Sequence, residues 1–292
     1  MNIRKQKVLL CVLLLAVLLL SGCGRQSETE IPAEEVAVEY TNLTDSASRE
    51  LLQRLLAAVG VVQGRIDVLF ERIDLFNASV KPEWLTDCFE EESPTDTKYD
   101  PYDMQDAWAE KYGTFPCYNC RITALEVFGD YVRSGNAEGI IGEDTLFRDL
   151  ETMQADPDAL CGDSAEKSCA LFAPVETTDS TDTQTHLEAL RQAWASRGVA
   201  FEDSGAIRLV SVVFHEKLSE TENTLFIGHT GVLLPAVGGT VYFLEKVAFQ
   251  EPYRLLRFSS RAELRGYLMA KYDVSWGQET ARPFVMENDR LM

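Results

Sequence analysis

Histidine is scarce in this chain, with three among 292 residues, His186, His215 and His229. A structural zinc site takes four nitrogen or sulfur ligands, commonly from paired CxxC or HxxxH units. The sequence has one CxxC, Cys117 to Cys120, and no second. No metal site and no cofactor are therefore expected. Positive charge is scarce too: 27 Lys and Arg face 47 Asp and Glu, a formal net charge of −20. So acidic a body is not a nucleic-acid binder and will not adhere electrostatically to anionic lipid. The acidity reads as a solubility device. No internal repeat is visible. The two-lobed alternation of strand and helix expected of a transporter's solute receptor is missing as well. The N-terminal apolar run "VLLCVLLLAVLLL" covers 13 residues, too few for a comfortable membrane span.

That run is instead the right length for a signal-peptide core, and it follows the basic "MNIRKQK". It ends in "LSGC", Leu20 to Cys23, which resembles the bacterial lipobox: an aliphatic residue, two small residues and the cysteine that receives lipid. The resemblance implies a lipoprotein signal peptide over 1–22 and a mature chain that starts at Cys23. Such a chain is held outside the cytoplasmic membrane with the lipid bilayer as a partner. The competing readings are an ordinary signal peptide that happens to contain a cysteine, and an uncleaved anchor. Loss of 1–22 removes Arg4, Lys5 and Lys7 and no acid, moving the formal charge to −23. Residues 24–39 are polar and acidic and read as a flexible tether. Residues 40–292 are long enough for one domain, and at 46% hydrophobic composition can build a core.

Helical spacing dominates the first half. "TDSASRELLQRLLAAVG" has a capping start, Leu51, Leu52, Leu55 and Leu56 at helical intervals, and a Gly60 stop. A second helix runs to Asn77. Residues 82–101 read as an acidic loop, 104–111 and 119–133 as helices, and "GEDTLFRDLETM" and "THLEALRQAWASRG" as two more. "PVETTDSTDTQT", Pro174 to Thr185, reads as a loop or boundary. The period then changes to two. "AIRLVSVVFHEK", "NTLFIGHTGVLLP", "GGTVYFLEKVAF" and "YRLLRFS" predict consecutive strands. "SSRAELRGYLMAKY" predicts a late helix, and "ARPFVMENDRL" an extended tail. Helices followed by an antiparallel sheet make the fold class α+β.

Of seven cysteines, Cys11 leaves with the signal peptide and Cys23 takes lipid. The five that remain can form disulfides outside the cytoplasm, and an odd number leaves one thiol over. The simplest partition pairs Cys161 with Cys169 across "GDSAEKS", pairs Cys88 with Cys117, and leaves Cys120 free. In a host without disulfide machinery all five stay reduced. A thioredoxin-like CxxC should follow a buried strand, whereas "YDMQDAWAEKYGT" reads as a helix and a turn.

In the hairpin "LFIGHTGVLL-PAVGG-TVYFLEKV", pairing Leu234 with Thr240 places His229 opposite Glu245 on one face, where the carboxylate can orient the imidazole. A cysteine opening a helix, then a sheet with histidine in "HxGVxL", then a polar residue on the next strand resembles the papain-like superfamily, with NlpC-type peptidases and amidases closest in style. The resemblance implies Cys120 as nucleophile, His229 as base and Glu245 as the third residue. The match is not complete, since "NCRI" stands where those enzymes carry "DCSG". The Cys120 amide, Asn119, Tyr118 or Tyr112 would supply oxyanion or substrate contacts. The substrate would be an envelope peptide such as a peptidoglycan stem peptide. The stretch from "EYTNL" through "NCRITAL" and "FIGHTGVLL" to "PFVMEND" also resembles an uncharacterised domain family of bacterial, mostly Gram-positive, lipoproteins.

Blander readings stand beside these. Cys120 can be a core thiol, and His229 a satisfied sheet histidine. His215 at a strand end reads as a surface residue and His186 as exposed. Two functions follow: a lipid-anchored cysteine hydrolase, or a non-catalytic lipoprotein that binds a ligand or envelope partner on the same scaffold.

Overall fold

A computed structural model describes residues 38–92, 97–135, 143–160, 163–202 and 206–292. The expected signal segment with Cys11, the cysteine expected to take lipid, Cys23, the expected tether up to residue 37, and Cys161 lie outside the described residues. Among the described residues no helix is long and apolar enough to cross a membrane.

Local chemistry accounts for the helix starts. Helix α1, Ser46–Ala58, opens where the Asp45 carboxylate accepts the Ser48 amide at 2.9 Å. It buries Leu52 and Leu56. Helix α2, Gln63–Asn77, buries Ile66, Leu69, Ile73 and Phe76 at helical spacing. Helix α3, Pro101–Tyr112, has Asp100 as cap and proline at its first position, where the missing N–H costs nothing. Helix α4, Cys120–Phe128, is buried along almost its whole length. Helices α5, Glu143–Ala155, α6, Ser164–Phe172, and α7, Thr183–Ser196, follow. Helix α8, Arg261–Tyr272, is capped by Ser260, and Glu263 reaches back to the Ser259 amide.

The strands are β1 Val38–Thr41, β2 Glu90–Glu92, β3 Val132–Arg133, β4 Val175–Thr177, β5 Ala200–Phe201, β6 Arg208–Lys217, β7 Asn223–Pro235, β8 Val241–Lys246, β9 Tyr253–Phe258, β10 Phe284–Glu287 and β11 Arg290–Leu291. The main sheet runs β11-β10-β6-β7-β8-β9-β1-β2, with β4 on the outer half of β7. Its pairs are antiparallel, and β3 and β5 form a separate ladder. One face of the sheet packs on the helices that precede it, through Leu209, Val213, Ile227, Val232 and Leu244. The other face carries Val210, Val212, Leu233 and Phe243 and packs on Leu264, Tyr267 and Leu268 of α8. The fold is α+β, helices first and antiparallel sheet after.

Several short elements depart from the sequence expectation. Strand β1 begins at Val38, within the stretch read as tether. Strand β2 lies in the acidic loop, and β4 in the segment read as a boundary. Strands of three or four residues carry no measurable period; their backbone groups are held by neighbours far away in sequence. Helix α6 occupies most of the segment expected to be a disulfide-closed loop. The expected pairs Cys161–Cys169 and Cys88–Cys117 are not formed, because Cys88, Cys117 and Cys169 are free thiols. Cys88 is exposed and Cys117 is packed in the core. A disulfide requires specific short geometry between two sulfurs, and none of these three thiols is so joined.

Candidate functional site

The segment before α4 turns sharply. Cys117 has φ of 76°, a left-handed conformation unusual for a residue with a side chain. Its carbonyl accepts a bond from the buried Thr152 hydroxyl at 2.7 Å. Asn119 then caps α4: its side-chain oxygen takes the Ile122 amide at 3.0 Å and its carbonyl takes the Thr123 amide at 3.0 Å. Cys120 is thereby the first residue of a helix packed on β6, β7 and β8. That position feels the positive end of the helix dipole. Further along, Glu126 is buried and meets Arg72 at 3.3 Å and Arg65 at 3.8 Å.

Two irregularities in β7 aim the histidine. Val212 pairs with His229 but Val213 pairs with Ile227, so Gly228 is an extra, bulged residue. A bulge bends the strand and re-aims the neighbouring side chain. Gly228 is required there, since a Cβ would lie 2.6 Å from the Phe214 ring. The β7–β8 ladder then stops at Val232–Leu244. Beyond it, Gly231 lets the Phe243 ring and the Leu244 carbonyl approach to where a Cβ would lie 2.4 Å and 2.7 Å away. The hairpin register differs from the expected one by two residues: Leu234 pairs with Tyr242, not Thr240. Extrapolated past the end of the ladder, it makes Glu245 diagonal to His229 rather than directly opposite. A shift of two keeps both side chains on the same face, where a shift of one would have separated them.

His229 Nε2 lies 2.7 Å from Glu245 Oε2, the ring N–H donating to the carboxylate. Nδ1 makes no hydrogen bond within the protein, and the ring interacts electrostatically with the Cys120 thiol. Cys120 is 5% exposed; His229 and Glu245 are fully buried. Burial by itself would push the thiol up and the imidazole down. The adjacent His229 and its charge, helped by Arg121, outweigh burial and hold Cys120 below its usual value. Burial is likewise outweighed at His229 by Cys120 and Glu245, which raise it to about 9. Burial opposes the Glu245 charge, yet His229, Lys271 and Arg254 bring it down to about 2. All three shifts favour thiolate, imidazolium and carboxylate together near neutral pH.

Tyr267 of α8 donates to Glu245 Oε1 at 2.8 Å, so both carboxylate oxygens are engaged. The Tyr272 ring stacks on His229, with centroids 5.0 Å apart and planes 22° from parallel. Next to the thiol, Arg121 donates to the fully buried Asp149 from Nε at 3.0 Å and to the Ile227 carbonyl at 3.3 Å. None of these partners has a signature in its own segment. A buried carboxylate needs donors, but nothing in "RAELRGYLMAKY" says which donors reach it.

The other candidates lie elsewhere or are committed. Asn119 is occupied as the cap and by Asp149. Tyr118 donates to Asp156 at 2.8 Å and lies under Arg72. Tyr112 packs on Trp108. His215 and His186 are buried, not surface groups. Their rings meet at a 45° tilt with centroids 4.4 Å apart, and all four nitrogens are satisfied, by Asn223, the Ala281 amide, Thr177 and the Ser180 carbonyl. Of the three histidines, His229 alone keeps a nitrogen free of ordinary hydrogen bonds. A cavity of about 290 Å³ lies beside the segment leading to Cys120, lined by Trp108, Phe115, Arg148 and Phe249 among others. The three central residues do not line it.

No curated protein and no solved structure matches the chain. The sequence pattern of a family described as a domain of unknown function (DUF4300) matches residues 39–292, and the chain belongs to that family.

Proposed function

We propose that the protein is a thiol-dependent hydrolase of peptide or amide bonds, with a papain-like site, held by lipid on Cys23 to the outer face of the cell membrane. One observation carries the catalytic part: a buried imidazole bonded to the Glu245 carboxylate through Nε2 and coupled on its other side to a thiol in the first turn of a helix. Cys120 attacks as thiolate, the working form of a cysteine nucleophile. His229 as imidazolium gives its proton to the leaving amine, then takes one from the water that cleaves the thioester. Glu245 fixes the ring and offsets its charge, and Tyr267 fixes Glu245. The Cys120 amide at the helix start faces developing negative charge. The cavity by Phe115 offers room for a substrate side chain, and an envelope peptide such as a peptidoglycan stem peptide is within reach of a tethered enzyme.

A second reading is favoured by the burial of the three residues: a non-catalytic lipoprotein that binds a ligand or partner. Iodoacetamide labelling separates the two. Rapid alkylation of Cys120 that is lost in His229→Ala supports the hydrolase; slow alkylation unchanged by that substitution leaves only the binding reading. Lipid attachment is tested separately, by incorporation of labelled palmitate that disappears in Cys23→Ala.

A further inference from the structure

A hydrolase of this kind needs a donor for the oxygen that becomes negative during attack. The side chains that the sequence offers for this role, Asn119 and Tyr118, are bonded to Asp149 and Asp156. Tyr272 differs. Its hydroxyl is buried and has no hydrogen-bond partner, although its ring lies flat on His229 and interacts electrostatically with Cys120 and Glu245. An orphaned buried hydroxyl is destabilising, and such groups call for an account. Of the buried hydroxyls without a partner among the described residues, that of Tyr272 is the one whose ring stacks on His229. Burial holds its proton on far above the usual phenol range, so at working pH the hydroxyl has a proton to donate.

We infer that Tyr272 is the side-chain oxyanion donor of the Cys120 site, through a hydroxyl that the protein itself leaves unbonded. The inference rests on the hydrolase reading. When the Cys120 sulfur bonds to an acyl carbon, the carbonyl π pair moves onto oxygen and Tyr272 O–H bonds to it. As the oxygen re-forms the double bond, the leaving group departs with its electron pair and a proton from His229, or as a stable anion from an activated ester. Acyl-Cys120 remains for water to cleave.

Two probes of the full-length protein distinguish this step from thiol reactivity. p-Nitrophenyl acetate acylates Cys120 through an oxyanion and releases nitrophenolate. Iodoacetamide alkylates the same sulfur and forms none. Tyr272→Phe keeps the ring and removes only the unpartnered hydroxyl, so the melting temperature should hold or rise. The expected result is acylation slowed on the order of 10²-fold with the alkylation rate and its pH profile unchanged. Unchanged acylation overturns the assignment, and so does an equal fall in both rates, which marks a structural role. If wild-type Cys120 reacts with neither probe, the hydrolase reading fails and Tyr272 falls with it. His229-dependent alkylation together with unchanged acylation in Tyr272→Phe removes the tyrosine alone.

Discussion

Cys117 and Cys120 stand three residues apart, both buried and both free, yet their thiols shift in opposite directions. Burial dominates at Cys117 and raises it, although Lys246 and Arg72 pull the other way. At Cys120 the imidazole reverses the effect of burial. Cys117 is not short of a cation. Lys246 is buried beside the Phe76 ring, gives its protons to the Phe249 and Glu251 carbonyls, and is itself lowered to about 8 by burial. No carboxylate bonds to its ammonium group; its acceptors are the two backbone carbonyls. His229 has Glu245 behind it, and Glu245 has Tyr267. The contrast teaches that a buried thiol is activated by a backed, bonded imidazole and not by a cation nearby.

The sharpest way to break this contrast is to remove each sulfur. Cys120→Ala should abolish both hydrolysis and fast alkylation, whereas Cys117→Ala should leave both rates intact; a rate loss in the second would put the chemistry at the wrong cysteine. Next in size is His229→Ala. With the imidazole gone, burial pushes the Cys120 thiol back up, and alkylation at pH 7 should slow by on the order of 10²-fold. A smaller change would mean that Arg121 and the helix start carry the thiolate.

Glu245→Gln sharpens the comparison through pH. Hydrolysis by the wild type should decline on the alkaline side near the His229 value of about 9, and in the variant this limb should move toward the ordinary imidazole value of 6.5. Stability carries the same signature. A carboxylate lowered to about 2 when folded contributes fully above its unfolded value of about 4.3, and the contribution fades as pH falls toward 2. His229, being raised, contributes fully below about 6.5 and loses its contribution as pH climbs through 9. Melting temperatures between pH 2 and 5 should therefore fall less steeply in Glu245→Gln than in wild type. The smallest of these effects is at the other sulfur: Cys117→Ala should cost about 1–2 kcal/mol by leaving a cavity, read from denaturant midpoints.

Residues with strong periodicity were legible. The helices at Ser46–Ala58 and Arg261–Tyr272 and the strands from Arg208 to Phe258 lie where leucine spacing and β-branched runs put them. The shared face of His229 and Glu245 was legible too, for a two-residue slip does not change parity. What was hidden is set by distant chain. The β7–β8 turn closes through the Ala236 amide and the Thr240 carbonyl at 2.9 Å, which moves the register. His186 and His215 looked exposed because nothing local announces that they pack against each other. Tyr267 and Tyr272 sit on a helix whose sequence reads only as amphipathic.

The bulge at Gly228 separates composition from alignment. Because Gly228 is the extra residue of β7, deleting it would restore an even ladder with Val212 still across from His229 and Val213 across from Ile227, and no residue would change face. Every reactive atom would remain in the protein while the bend that points the imidazole was straightened. Such a deletion is a control that point substitution does not offer: a site with its full chemical inventory and only its geometry withdrawn.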